Sequence, residues 1–173
     1  NAASCPPQQT ARLEHFCGRK AADIRLGSET IELLFTRGLV HNIADLYRLS
    51  VADLLTLPGF KERSATKLYE SIQASKERPF RALLFGLGIR FVGETVAKTL
   101  VQRYPDIDSL GEASLEELTA IPDIGEVIAE SILDYFATEA NRQLLSDLKA
   151  LGLPLKRLPE EEPRPVNEHV AVA

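Results

Sequence analysis

The chain has 173 residues, 45% of them hydrophobic, with a formal charge of −5, two cysteines and no Met. That composition suffices for one ordinary core or two small ones, contains no apolar run near the ~20 residues that cross a bilayer and no signal-peptide pattern at its start, and has too few cysteines for a disulfide framework. It argues against a membrane span and a disulfide-built scaffold and sets a soluble, cytoplasmic protein as the expectation; the missing Met sets another, that Asn1 is not the natural start and the chain is a piece of something longer.

Helical signals dominate, and no segment reads as a strand pair. Ile24-Arg-Leu-Gly27 makes a turn into Thr30-Ile-Glu-Leu-Leu34. Ser50-Val-Ala-Asp53 has the form of an N-cap with a capping box, followed by leucines and the turn Leu57-Pro-Gly-Phe-Lys-Glu62. Pro79 and Phe80 open a helix through Leu87 that joins the first half of the chain to the second. The next turn is Ile89-Arg-Phe-Val-Gly-Glu94, and Val96, Ala97, Leu100 and Val101 behind it have helical spacing. Ser114-Leu-Glu-Glu117 repeats the capping signal before Ile121-Pro-Asp-Ile-Gly-Glu126, which Ile128, Ala129, Ile132 and Leu133 follow with the same spacing. From Lys156 onward, Pro159, Pro163 and Pro165 around Glu160-Glu-Glu162 have the composition of a flexible linker.

The three later turns begin 32 residues apart, and the register persists behind them: Glu62, Glu94 and Glu126 share a column, as do Ala65, Ala97 and Ala129, and Leu68, Leu100 and Ile132. Repetition at a fixed period of this size marks a repeated supersecondary unit. The turn at Ile24 is a fourth copy, short by one residue. The unit is short helix, tight turn, longer helix, so the expected fold is all-α, with four hairpin motifs arranged as two pairs. Motifs 1 and 2 fall in residues 23–78 and motifs 3 and 4 in residues 79–155.

The turn reads hydrophobic, any, Gly, hydrophobic, Gly, directly before a helix. Glycine permits positive φ and removes the Cβ that would keep another backbone away. The hydrophobic residue between (Leu26, Phe60, Val92, Ile124) pins the loop to the core. The turn amides and the unpaired N–H groups of the helix start then make an anion site. A single copy reads as well as a helix corner with Gly as its C-cap; four copies at constant spacing favour the phosphate reading. No copy keeps both glycines: Gly27, Gly59, Gly93 and Gly125 are the survivors, Lys61 stands at the second place of its turn, and Phe91 and Asp123 stand at the first place of theirs. Gly27, Gly59, Gly93 and Gly125, with Lys61 and Arg90 as neighbouring cations, are therefore the candidate phosphate contacts, and for Lys61 and Arg90 the reading as ordinary solvated surface charges stays open. Main-chain contacts of this kind position a duplex without reading its sequence. Lys67, Lys98 and Arg103 read as outward helix positions, the four tyrosines as core, and Cys17 as a small core residue.

Charge is uneven along the chain. Lys61 to Arg103 carries nine basic and four acidic residues, whereas Tyr104 to Pro163 carries four basic and fourteen acidic ones. A polyanion should be gripped by the second and third turns and repelled at the fourth, where Asp123 and Glu126 flank the loop.

These repeats resemble helix-hairpin-helix motifs, and Leu83-Leu-Phe-Gly-Leu-Gly-Ile-Arg-Phe-Val-Gly-Glu-Thr-Val-Ala-Lys98 is similar to the third hairpin of bacterial NAD-dependent DNA ligases, which read LLFALGIRxVGETTAK there. His15-Phe, Arg19-Lys-Ala-Ala-Asp-Ile24, Gly38-Leu-Val40, Ala44-Asp-Leu-Tyr-Arg-Leu49 and Ile121 to Ser131 resemble the same family in the same order, so that the likeness covers about residues 1–155. Asn1-Ala-Ala-Ser-Cys5-Pro-Pro-Gln8 resembles the end of that family's four-cysteine zinc module. The resemblance makes Cys5 a fourth zinc ligand whose three partners would precede Asn1, residues 1–22 the remnant of that module plus a connecting helix, and residues 156–173 a linker toward a BRCT domain. It implies a parent enzyme that uses NAD, Mg and Zn to seal nicks between 5′-phosphate and 3′-hydroxyl in DNA replication and repair. The adenylated lysine of the family lies in K-x-D-G, which is absent from this sequence, so no catalytic residue is assigned, no cofactor is expected to bind completely, and the chain alone should not seal DNA. The expected partners are nicked double-stranded DNA and the other domains of the same ligase, with the chain a monomer. Two alternatives stay open: a non-catalytic protein that binds DNA structures through tandem hairpins, and a protein-interaction module docked through the acidic fourth hairpin.

Overall fold

The computed structural model describes residues 6–162. Eleven α-helices follow in order: α1 Pro6–Cys17, α2 Ser28–Thr36, α3 Ile43–Leu46, α4 Val51–Leu55, α5 Glu62–Ala74, α6 Phe80–Gly86, α7 Glu94–Arg103, α8 Ile107–Gly111, α9 Leu115–Thr119, α10 Glu126–Ala137 and α11 Glu139–Ala150. Among the described residues there is no β-strand; one isolated antiparallel bridge joins Asp106 to Lys156. Among the described residues no helix is long and apolar enough to cross a membrane.

Four helix pairs form the expected hairpins: α1 with α2, α4 with α5, α6 with α7, and α9 with α10. The first differs from expectation in extent. Its leading helix is α1 itself, so the boundary foreseen between residues 22 and 23 cuts through the motif. Cys5, the foreseen zinc ligand, lies outside the described residues. Two side-chain hydrogen bonds tie the hairpins into pairs. Ser71 Oγ on α5 accepts from the Arg25 amide in turn 1 at 3.1 Å, and Ser131 Oγ on α10 donates to the Arg90 carbonyl in turn 3 at 2.6 Å.

The repeated columns are core columns. Ala65, Ala97 and Ala129 are fully buried, as are Leu100 and Ile132, with Leu68 nearly so. Small residues in the first column let the second helix of each hairpin close onto its partner. The Glu column is exposed at the first helical position, where a carboxylate suits the helix dipole. The α1–α6 crossing is also close, because a Cβ at Gly86 would meet Ala21 Cβ at 2.9 Å and the Phe16 ring at 3.0 Å.

The short connectors stand on side-chain caps. Asn42 and Asp106 accept from the amides of Asp45 and Ser109 at the starts of α3 and α8, and Ser50 and Ser114 form reciprocal capping boxes with Asp53 and Glu117 on α4 and α9. Helices of four or five residues would not persist alone, and each cap contributes about 1 kcal/mol. Cys17 is buried in the core as expected, which pushes its thiol up to about 12.

The segment after α11 departs from the linker foreseen at residue 156. Residues 155–162 are bound across the open end of the third hairpin. Leu155 is buried and its carbonyl accepts from Ile107 N at 2.9 Å. Arg157 Nη1 donates to the carbonyls of Val101 and Gln102 at the C-terminal end of α7, at 3.3 and 3.1 Å. Glu161 accepts from the amides of Phe80 and Arg81 at the start of α6, at 2.7 and 3.0 Å. A cation thus meets one helix C-terminus and a carboxylate the neighbouring N-terminus, each matched to its dipole. Composition hid this because the proline-rich, acidic stretch reads as solvated, whereas the Glu161 side chain is only 4% exposed.

Glu161→Ala removes both amide contacts and should lower stability by about 1–2 kcal/mol, or roughly 3–6 °C in melting temperature. Thermal denaturation followed by circular dichroism checks this, and an unchanged melting temperature would show that the strap contributes nothing.

Candidate nucleic-acid interface

Turns 2, 3 and 4 share one backbone. In each, the amide of the central hydrophobic residue donates to the carbonyl three residues earlier: Phe60 to Leu57 at 3.2 Å, Val92 to Ile89 at 3.0 Å and Ile124 to Ile121 at 3.1 Å. The residue before the donor is left-handed, with φ of +85° at Gly59, +70° at Phe91 and +74° at Asp123. This is the hydrogen-bond and φ pattern of a type II turn, whose second residue favours proline, and Pro58 and Pro122 sit there. Replacement of the first glycine by Phe91 and Asp123 therefore leaves the turn intact. Burial of Leu57, Ile89, Ile121, Val92 and Ile124 holds the loop against the strain of a non-glycine left-handed residue.

Turn 1 has lost that residue. Leu26 N donates to the Ile24 carbonyl at 2.8 Å, two residues back, and positive φ appears before the turn at Asp23. Its Arg25 amide is consumed by Ser71. On geometry, turn 1 is the poorest candidate, although Gly27 still precedes α2 as its N-cap.

The second glycine place has a different explanation from the first. Gly27, Gly93 and Gly125 are N-caps with ordinary negative φ of −84°, −87° and −88°. A Cβ built on any of them meets nothing within 4 Å. Neither conformation nor packing requires glycine at these three positions, so what the missing side chain provides is access to the helix start. Lys61 occupies this place in turn 2 with φ −118°, and its N–H donates to Ser64 Oγ at 3.0 Å.

Capping divides the helices into two classes. The four that follow the hairpin turns, α2, α5, α7 and α10, have no side-chain cap, and neither does α11, whereas α3, α4, α8 and α9 all have one and the first amides of α6 are taken by Glu161. The first N–H groups of an uncapped helix are left to solvent or to a ligand, and the dipole makes that ligand an anion.

Electrostatics rank the uncapped starts. Lys61 and Arg63 stand exposed at α5. At turn 3, the Arg90 guanidinium lies 5.0 Å over the Phe91 ring. At turn 4, Asp123 adds a carboxylate to the Glu126 that corresponds to Glu62 and Glu94 in the other turns, and Val127 beside it is exposed. Geometry thus favours turns 3 and 4 and charge favours turns 2 and 3, leaving turn 3 as the one that satisfies both. Phe91 was legible in sequence only as a lost glycine; in the structure the residue is 53% exposed at the tip. Tyr47 is buried and bonded to Ser75 at 2.6 Å, and Tyr135 packs edge-on against Phe136, so neither stands at a turn as a stacking platform. Among the described residues no three metal-ligating side chains converge.

Two family models match the chain, a helix-hairpin-helix motif over residues 82–145 and a SAM-like helix-hairpin-helix tandem over residues 25–74. The first spans hairpins 3 and 4; the second covers hairpin 2 and the later part of hairpin 1. Curated relatives include a DNA ligase of Porphyromonas gingivalis, 58% identical over 90% of this chain and 23% of its own length. Others are a DNA ligase of Parabacteroides distasonis, 54% identical over 88% of this chain and 23% of its own, and one of Cytophaga hutchinsonii, 44% identical over 99% and 26%. The chain spans about a quarter of the length of these relatives.

The two glycine places should respond oppositely to alanine. Gly59→Ala forces a Cβ into a left-handed residue and should destabilise the fold by about 1–2 kcal/mol. Gly93→Ala and Gly125→Ala should leave stability unchanged or raise it by up to ~1 kcal/mol. Chemical denaturation of the three variants separates these outcomes, and equal losses at all three would show that the second place is structural after all.

Proposed function

The chain belongs to the bacterial DNA ligases as a homologue of one tandem helix-hairpin-helix segment, and we propose that it clamps duplex DNA beside a nick through the amides of its hairpin turns. The observation that carries this reading is the N-terminus of α7: uncapped, preceded by a glycine whose missing Cβ faces open space, and set in the basic stretch of the chain. Phosphate oxygens accept from main-chain N–H groups at such a site, with Lys61 and Arg90 adding charge at turns 2 and 3. Because the donors are backbone, the grip is indifferent to base sequence. Two hairpins of a pair present their turns to the two strands across a minor groove, so the domain holds a duplex by both backbones.

The proposed contribution to ligation is orientation. A nick held in register turns the encounter of 3′-hydroxyl and activated 5′-phosphate into a step within one complex. Bond making belongs to other parts of the parent enzyme, for which we propose NAD as the adenylate source, Mg for the phosphoryl chemistry, and a zinc module completed by Cys5. Nicked duplex DNA and the remaining domains of the same enzyme are the proposed partners of a monomeric chain.

The fourth hairpin suits a different contact. Val127 is 62% exposed among Asp123, Glu126 and Glu130, whose carboxylates repel phosphate, and the patch fits a basic, partly apolar protein surface.

Fluorescence anisotropy with nicked duplexes of two unrelated sequences tests the clamp. Equal affinity for both is expected, with a log–log salt slope of about −2 to −4, corresponding to a few neutralised phosphates. Gly93→Val combined with Lys61→Glu should weaken binding at least about fivefold, the size of one or two lost phosphate contacts. With NAD and Mg present, the chain alone should give no sealed product. Absence of duplex binding at low salt would refute the clamp role, and nick sealing by this chain would refute the division of labour.

A further inference from the structure

Beside the third hairpin lies a surface groove of about 420 Å³, lined by Lys20, Arg78, Arg81 and Lys98 together with Glu94 and Thr95 at the start of α7. Its cations come from separate parts of the chain: the loop after α1, the approach to α6, α6 itself, and the second turn of α7. Sequence reading treated Lys98 as an ordinary outward position and did not connect it with Lys20, because only the packing of α1 against α6 and of α6 against α7 brings the two together.

The groove is under-neutralised by design of its contacts. Arg78 is fixed by main-chain carbonyls, its Nε donating to Ala21 O at 2.9 Å and its Nη2 to Arg19 O at 3.2 Å. Those bonds set its position without cancelling its charge. Lys20 pairs with Glu94 at 3.2 Å, and both side chains are more than half exposed. Arg81 reaches Glu161 only at 3.8 Å, and that carboxylate is committed to two amides of α6. Among the described residues Lys98 forms no ion pair. Four cations therefore face two carboxylates, and the uncapped start of α7 adds the positive end of its dipole. Like charges gathered at one place repel unless an anion joins them.

We propose that this groove seats a backbone phosphate of the DNA, distinct from the one held at the tip of turn 3, so that the third hairpin grips one strand at two points. The inference rests on the duplex-binding reading above. Lys20 and Lys98 supply charge at the rim and Arg78 a fixed charge at one wall, while the first amides of α7 stay with the phosphate at the tip of turn 3. The seat also joins hairpin 1 to the interface through Lys20, even though turn 1 itself is the poorest phosphate candidate.

The test uses the whole chain and a nicked duplex, with Lys20→Gln and Lys98→Gln combined, since both side chains lie at the surface and neither bonds to the backbone. Duplex affinity should fall about five- to tenfold, and the log–log salt slope should shrink by about 1, the share of the one phosphate that loses its neutralising charge. Lys149→Gln, whose lysine pairs with Asp108 in the acidic half, should change neither quantity. Unaltered affinity and slope in the double variant, with wild-type binding intact and the melting temperature preserved, would overturn the groove while leaving the clamp standing. No binding by the wild type would remove both. At matched ionic strength, inorganic pyrophosphate should compete with the duplex on the wild type and much less on the double variant; an equal effect on both would overturn the groove as a phosphate seat.

Discussion

The structure depends on burial of the hydrophobic residues of the hairpin turn. Leu57, Ile89 and Ile121 enter the core where the first helix ends, and Val92 and Ile124 re-enter it two residues after the second turn position. Between these anchors the backbone must reverse within a single hydrogen-bonded turn, so the intervening residue adopts positive φ whatever its side chain. The same reversal points the start of the second helix outward. Burial on one side of the loop thereby creates exposed, uncapped amides on the other, and the candidate interface is a by-product of how the core closes.

Much of this was legible in the residues. The 32-residue register is the spacing of core columns, and the Ala column records how closely each second helix approaches. The Ser50 and Ser114 caps were readable because a capping box is a local pattern. The tail was misread for a physical reason. Glu161 is neutralised by two amides 81 and 80 residues away in sequence, a pairing that no local composition reports. Phe91 and Asp123 were read as weakened glycine places, whereas anchor burial keeps the turn without glycine. The reach of α1 into the first hairpin was hidden because the segment before Ile24 lacks the repeated turn signature.

Symmetry in the fold and asymmetry in charge divide the labour. The hairpins are built alike, yet the basic residues gather around hairpins 2 and 3 while hairpin 4 is acidic and apolar at its tip. A clamp of four equal contacts would need matching charge at each start. What the chain offers is a polyanion grip centred on the third hairpin and a fourth hairpin better suited to protein. The strap from Leu153 to Glu162 fits this division, because it fastens the open end of the hairpin that carries the strongest site. Arg157 and Glu161 hold the two helices at one end while the turn presents amides at the other.

The central claim, that DNA is held by uncapped turn amides in the basic half, is tested most directly by amide chemical shifts of the 15N-labelled chain titrated with a short nicked duplex. The account predicts that Gly93, Glu94 and Thr95 move most, that Gly59 to Arg63 follow, and that Asp123 to Val127 stay near their starting positions. Shifts centred on the fourth hairpin, or spread evenly over all four turns, would contradict it.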